Sequence, residues 1–205
     1  ISTNESYRRI AMERGRRPGE DVSVVRSGPD TRTMRPSYPD NPRPLDGIEL
    51  AYLGIMGPQD GVDNALRVVD ELVNKRGRSE VRATLMGFGD SFEDLRRLAT
   101  ELNINEHVTF TGRADRRMVA EQLSRADIGL CPDLKTPLND VSTMNKTMEY
   151  MSFALPSVSF DLMETRVSGG DSVLYVESGD VIGFADAVER LIDDRALRLT
   201  MAKHA

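Results

Sequence analysis

A chain of 205 residues with 39% hydrophobic and 29% charged residues has room for one large domain, or one domain and part of another, and is composed like a soluble globular protein. Its formal net charge of −6 excludes a general nucleic-acid binder, which would carry a basic face; the short run Arg14, Arg16, Arg17 is followed at once by Glu20 and Asp21 and reads as a solvated loop. A single cysteine, Cys131, excludes an internal disulfide framework and fits a reducing compartment, and no apolar run approaches the ~20 residues of a membrane span.

In chain order, 2–14 reads as a helix, with Ser2, Thr3 and Asn4 as cap candidates and Gly15 as its stop. VSVVRS from Val22 reads as a strand that breaks at Gly28-Pro29, and 31–47, rich in Pro, Arg and Asp, as a linker. A regular alternation follows. Strands are expected at 48–54, 81–87, 107–112, 127–132, 157–160 and 173–176, and helices at 62–75, 92–102, 118–125, 145–153 and 182–192. Asp180 is a good cap for the late helix. Apolar strands alternating with amphipathic helices predict a doubly wound, Rossmann-like parallel sheet covered on both faces. In that architecture ligands bind beyond the carboxyl ends of the strands. The chain begins without Met and ends inside a helical pattern, so it is expected to be a piece of a longer protein.

The strand ends hold the candidate chemistry. The first opens into a glycine loop, Gly54 to Gly61, whose spacing is neither G-x-G-x-x-G nor a P-loop. The second gives Gly87-Phe88-Gly89-Asp90, with Glu93 and Asp94 read as helix-start carboxylates; the third gives Arg113, a phosphate or base contact or a solvated side chain. The stretch from Ser142 to Asp161 is the most informative: a polar loop delivers Ser142 and Thr143 to a helix start at Met144 and Asn145. Lys146 and Glu149, three apart, share one face of that helix, either as a surface ion pair or as part of a site for an anionic, hydroxyl-bearing ligand. Cys131 reads as a buried structural thiol. His107 and His204 have no partners spaced for a triad, no Cys/His cluster has zinc spacing, and no metal is implied.

Taken together, RSGPD (26–30), YLGIMGPQDGVDNAL (52–66), LMGFGDSFEDLRRLATELNINEHVTFTGR (85–113) and ADIGLCP followed by NKTMEYMSFALPSVSFD resemble the nucleotide-sugar-binding, carboxyl-terminal domain of the glycosyl transferases group 1 family, whose members have the two-domain GT-B fold. The resemblance implies transfer of a sugar from a nucleotide diphosphate sugar to an acceptor with retention of configuration, and no other cofactor. It implies that Glu149 holds the ribose hydroxyls, that amides from Ser142 to Lys146 hold the diphosphate, that the glycine loop from Gly54 to Gly57 closes on the phosphates, that Gly87 belongs to the donor site, and that Arg113 lies near the base. It divides the chain into 1–21, the last helix of an acceptor domain or an interdomain segment; 22–47, hinge strand and linker; and 48–205, the donor-binding domain. The acceptor would sit on a missing amino-terminal domain. The location implied is the cytoplasm, at the inner face of the membrane if the full-length protein associates peripherally, in polysaccharide biosynthesis. The fragment alone is expected to turn over little.

Two positions depart from the family pattern. The family often has a second glutamate eight residues before the one matching Glu149, where this chain has Val141; Asp140 beside it is the candidate sugar contact. A lysine often precedes the glycine matching Gly61, and Asp60 stands there instead, leaving Lys146, Lys135 or Arg113 to supply charge. Two further readings stand beside transfer: a sugar-nucleotide epimerase of the same architecture, and a non-catalytic nucleotide-sugar-binding or regulatory module.

Overall fold

Six parallel strands, β1 (Ile48–Leu53), β2 (Val81–Met86), β3 (Val108–Gly112), β4 (Ile128–Cys131), β5 (Ser157–Phe160) and β6 (Val173–Val176), form one sheet in the spatial order β3-β2-β1-β4-β5-β6. The computed structural model describes residues 1–36 and 47–205. The chain winds outward from β1 to β3, then returns across β1 to begin β4, so the winding reverses between β1 and β4. That is the place where a doubly wound sheet opens a crevice at its carboxyl edge.

Helices cover both faces, which is why the strands are apolar on both sides. On one face Leu50, Tyr52, Leu85, Val158 and Phe160 pack with residues of α2 (Val62–Asp70), α3 (Phe92–Glu101), α7 (Val181–Asp193) and α8 (Arg195–His204). Phe160 meets Phe184 edge to face at 5.1 Å. On the other face Ala51, Met86 and Cys131 pack with Val119 and Leu123 of α4 (Arg116–Arg125) and with Tyr150 of α5 (Asn145–Ser152). Each such fully buried large side chain contributes on the order of 1.5–3 kcal/mol. At the amino edge, α2 runs into a π-helical turn, Glu71–Lys75, and Arg76 reaches Asp186 at 2.7 Å and Glu189 at 2.8 Å, tying α2 to α7 away from the crevice.

The expected strands and helices of 48–192 are present, most within two residues of the sequence reading. The first helix, α1 (Glu5–Gly15), is capped by Asn4, whose side chain accepts from the Tyr7 amide, and it ends with Arg16 in the left-handed region. The strand expected from Val22 is not there: the segment makes a one-residue parallel bridge between Ser2 and Val24, and a strand needs a longer ladder than that. The predicted linker starts as a turn in which Asp30 O accepts from the Thr33 and Met34 amides; 37–46 lie outside the described residues. A seven-residue helix unread in the sequence, α6 (Met163–Gly169), joins β5 to β6.

Candidate functional site

Tyr150 builds the reversal point. The β1–β4 ladder pairs Leu50 with Ile128 and Ala51 with Gly129 and goes no further. Beyond it the Tyr150 hydroxyl takes over, accepting from Leu53 N at 2.9 Å and donating to Leu130 O at 3.1 Å. Its ring lies on Gly129, where an added Cβ would fall 2.4 Å from Cδ2. Tyr150 is fully buried, and one helical turn earlier Lys146 is 8% exposed. The strand-seated face of α5 therefore carries a cation into the protein.

That cation is the first correction to the sequence reading. Lys146 does not lie on the surface beside Glu149. Its Nζ turns inward to Asp133 Oδ1 at 2.6 Å and sits 5.3 Å from the centroid of the Tyr52 ring. Burial opposes the charge, but Asp133 and the other anions outweigh it, and the Lys146 pKa lies above the ordinary lysine value. Asp133 Oδ2 is buried with no hydrogen-bond partner. Asp133 stands two residues past the end of β4, after Pro132, and its role was not read in the sequence. The signal available was the helical spacing of Lys146 and Tyr150, which puts the lysine on the buried face.

The glycines at the strand ends owe their positions to close packing. Beyond β1 and β2 the chains stay paired, Gly54 N donating to Met86 O and Met56 N to Phe88 O. Gly87, at φ +151°, lies so close that a Cβ would come within 1.8 Å of Gly54 O. At Gly54 an added Cβ would meet the Tyr52 hydroxyl and Lys146 Cε. Asp60, where the family pattern has a lysine, accepts from Gly57 N at 2.9 Å and closes the loop on itself. Burial raises its pKa, against the Gly57 amide and Lys146.

A cleft of about 540 Å³ opens at this edge, lined by Gly54, Ile55, Gly87, Phe88, Arg116 and Glu149 among others, with Pro29 and Met34 on one side. Its size is that of a small-molecule site. Glu149 is half-buried, and burial, opposed in part by Lys146, raises its pKa. Arg113 lies over the Phe88 ring, 3.8 Å from its centroid, and it is Phe88 that lines the cleft. Met144 precedes α5 in extended conformation, no side chain caps the helix, and exposed Asn145 opens it. By contrast, Asp115 caps α4 and Asp180 caps α7. An uncapped helix start with a carboxylate one turn on can receive an anion and a diol together.

The neighbouring side chains are already engaged. Ser142 Oγ lies 2.7 Å from both the Tyr7 hydroxyl and Leu138 O, and Thr143 Oγ1 accepts from Asn4 Nδ2 at 3.0 Å. Asp140 Oδ1 accepts from the Met163 amide, the first of α6, at 2.8 Å. Cys131 is fully buried, and burial pushes its thiol up to about 12, as a structural role requires. Among the described residues no group of three or more His, Cys, Asp or Glu could hold a metal ion, and no helix is long and apolar enough to cross a membrane.

Residues 47–194 match the glycosyl transferases group 1 family. The chain belongs to that family. An α-D-kanosaminyltransferase of Streptomyces kanamyceticus, a curated relative, is 27% identical over 174 residues, which are 84% of this chain and 42% of the relative. The chain thus spans less than half the length of that glycosyltransferase. Among solved structures, a TarM variant of S. aureus in complex with fondaparinux, α-GlcNAc-glycerol and UDP superposes with a TM-score of 0.80 at 14% identity, covering all of this chain and 38% of TarM. The C-terminal domain of LpcC, a glycosyl transferase group 1 family protein from Francisella tularensis, superposes with a TM-score of 0.67 at 18% identity, covering 85% of this chain and 93% of that domain. These likenesses show the fold, an α/β domain of the GT-B glycosyltransferases.

Proposed function

We propose that this group 1 chain binds a nucleotide diphosphate sugar at the carboxyl edge of its sheet and serves as the donor-binding domain of a retaining glycosyltransferase. One observation carries the reading: half-buried Glu149, one helical turn past the uncapped start of α5, lines a cleft edged by Gly54 and Gly87. Amides of Met144, Asn145 and Lys146 hold the diphosphate, with the Lys146 charge behind them. Glu149, ionised, accepts from the ribose hydroxyls. The base lies in the cleft against Ile55 and Phe88, with Arg113 stacked behind.

In the transfer, the bond from the anomeric carbon to the β-phosphate oxygen breaks and a bond to the acceptor oxygen forms. Negative charge grows on the leaving nucleoside diphosphate, whose freed oxygen takes the proton of the acceptor hydroxyl. The helix start and Lys146 face that growing charge in fixed positions, so their attraction strengthens in the transition state. This reading assigns the task to protein groups without a metal ion. The acceptor is bound by residues outside this chain, and the chain alone binds the donor and transfers little. UDP, bound in the TarM structure, is the first candidate. Calorimetry with UDP, GDP and ADP tests the reading: one diphosphate binds in preference to the others. Binding of none contradicts it.

A further inference from the structure

Residues near the start of α1 are buried, and they are polar: Ser2, Asn4 and Ser6. A helix that merely adheres to a domain does so through apolar residues. Here the contact is a set of directed hydrogen bonds. Asn4 is 0% exposed, and its side chain is fully used. Oδ1 accepts from Tyr7 N at 2.7 Å, while Nδ2 donates to Val141 O at 2.9 Å and Thr143 Oγ1 at 3.0 Å. One helical turn on, the Tyr7 hydroxyl meets Ser142 Oγ. Both side chains hold the same loop, 141–143, immediately before the uncapped start of α5.

A second clamp holds the far side. Ser6 Oγ donates to Glu164 Oε1 at 2.6 Å, and the Ser6 amide donates to the same oxygen at 3.3 Å. Glu164 belongs to α6, whose first amide is held by Asp140 on the same loop. The loop is thus fixed between two helices by polar groups that each define a direction. Such a network specifies geometry more than it adds stability.

We propose that Asn4, with Tyr7, is a positioning residue for the diphosphate: α1 sets the loop that aims the first amides of α5, so the place of α1 controls phosphate binding. This rests on the donor-site reading above. Asn4 touches no ligand itself. Its effect falls on the phosphates, because Glu149 is seated separately, on the part of α5 that Tyr150 anchors to the sheet.

The test uses the 205-residue chain with Asn4→Ser, which keeps a helix cap and removes the two Nδ2 bonds, and Tyr7→Phe, which removes the hydroxyl alone. Calorimetry measures the nucleoside diphosphate that the chain binds among UDP, GDP and ADP, and ligand-observed NMR titration measures the matching nucleoside. Asn4→Ser is expected to weaken the diphosphate about tenfold and Tyr7→Phe about threefold, with the nucleoside unchanged. Unchanged diphosphate binding in both variants, or equal loss of diphosphate and nucleoside, overturns the proposal and leaves the donor site standing. A wild-type chain that binds none of the three overturns both. If Asn4→Ser does not fold, Tyr7→Phe decides on the same criteria.

Discussion

Lys146 Nζ lies 2.6 Å from Asp133 Oδ1, and both residues are buried, at 8% and 2% exposure. The pair joins the first turn of α5 to the end of β4 across the reversal point. A buried pair adds little net stability, because desolvation of two charges offsets their attraction. Breaking it is another matter. Lys146→Met leaves Asp133 buried and unpaired and is expected to cost about 3–5 kcal/mol in urea unfolding. The double variant Lys146→Met with Asp133→Leu is expected to recover most of that loss. A double variant as unstable as the sum of its singles would mean the two residues act separately.

Glu149 sets binding against stability. Its pKa is raised chiefly by burial, so ionisation is harder in the folded chain than in the unfolded one. A raised folded pKa means a contribution present at low pH and lost as pH rises through the folded value. Glu149→Gln removes that loss. The variant is expected to melt at a higher temperature than the parent at neutral pH, with the gap closing as pH falls through the raised folded value and gone below about 4. Thermal melts across this range check it, and a gap independent of pH would contradict the account.

Gly87 and Gly77 separate crowding from mere conformation. Both have positive φ, but an added Cβ at Gly87 would strike Gly54 O, while at Gly77 it would meet nothing within 4 Å. Gly77→Ala is expected to cost about 1 kcal/mol, the ordinary penalty of the left-handed region. Gly87→Ala is expected to cost at least about 3 kcal/mol, since the loop pair must also part. Equal costs would show that the two loops are not held together.

Much of this fold was legible because each strand between β1 and β6 is a short apolar run bounded by turn residues, and each intervening helix repeats its apolar side chains at helical spacing. The strand expected from Val22 has the right composition, but composition does not supply a neighbour to pair with. Helix α6 escaped notice because seven residues, METRVSG, are too few to show a period, and no side chain caps it. Within the site, the positions of Glu149 and the glycine loops were readable from the strand-end rule. The direction of Lys146 was not. Shared-face spacing pointed it at Glu149, whereas its partner Asp133 lies across the β4–α5 connection. The clasp of Asn4 on Val141 and Thr143 joins residues nearly 140 positions apart. Local pattern carries no trace of such a contact.

Tyr150→Phe isolates the hydroxyl at the reversal point. The ring still lies on Gly129, but Leu53 N and Leu130 O lose their partner. A loss of about 1–3 kcal/mol in denaturant unfolding is expected. No loss would mean that water or a shift of β1 against β4 satisfies those groups.

The pairing of Glu149 with the ribose is the most direct test of the donor-site account. Calorimetry compares the nucleoside diphosphate that the chain binds with its 2′,3′-dideoxy form, on the parent chain and on Glu149→Ala. The parent is expected to favour the intact ribose about tenfold or more, as a charged hydrogen-bond acceptor would, and Glu149→Ala to lose most of that preference. A Glu149→Ala chain that still discriminates between the two sugars as the parent does would place the ribose elsewhere and contradict the account.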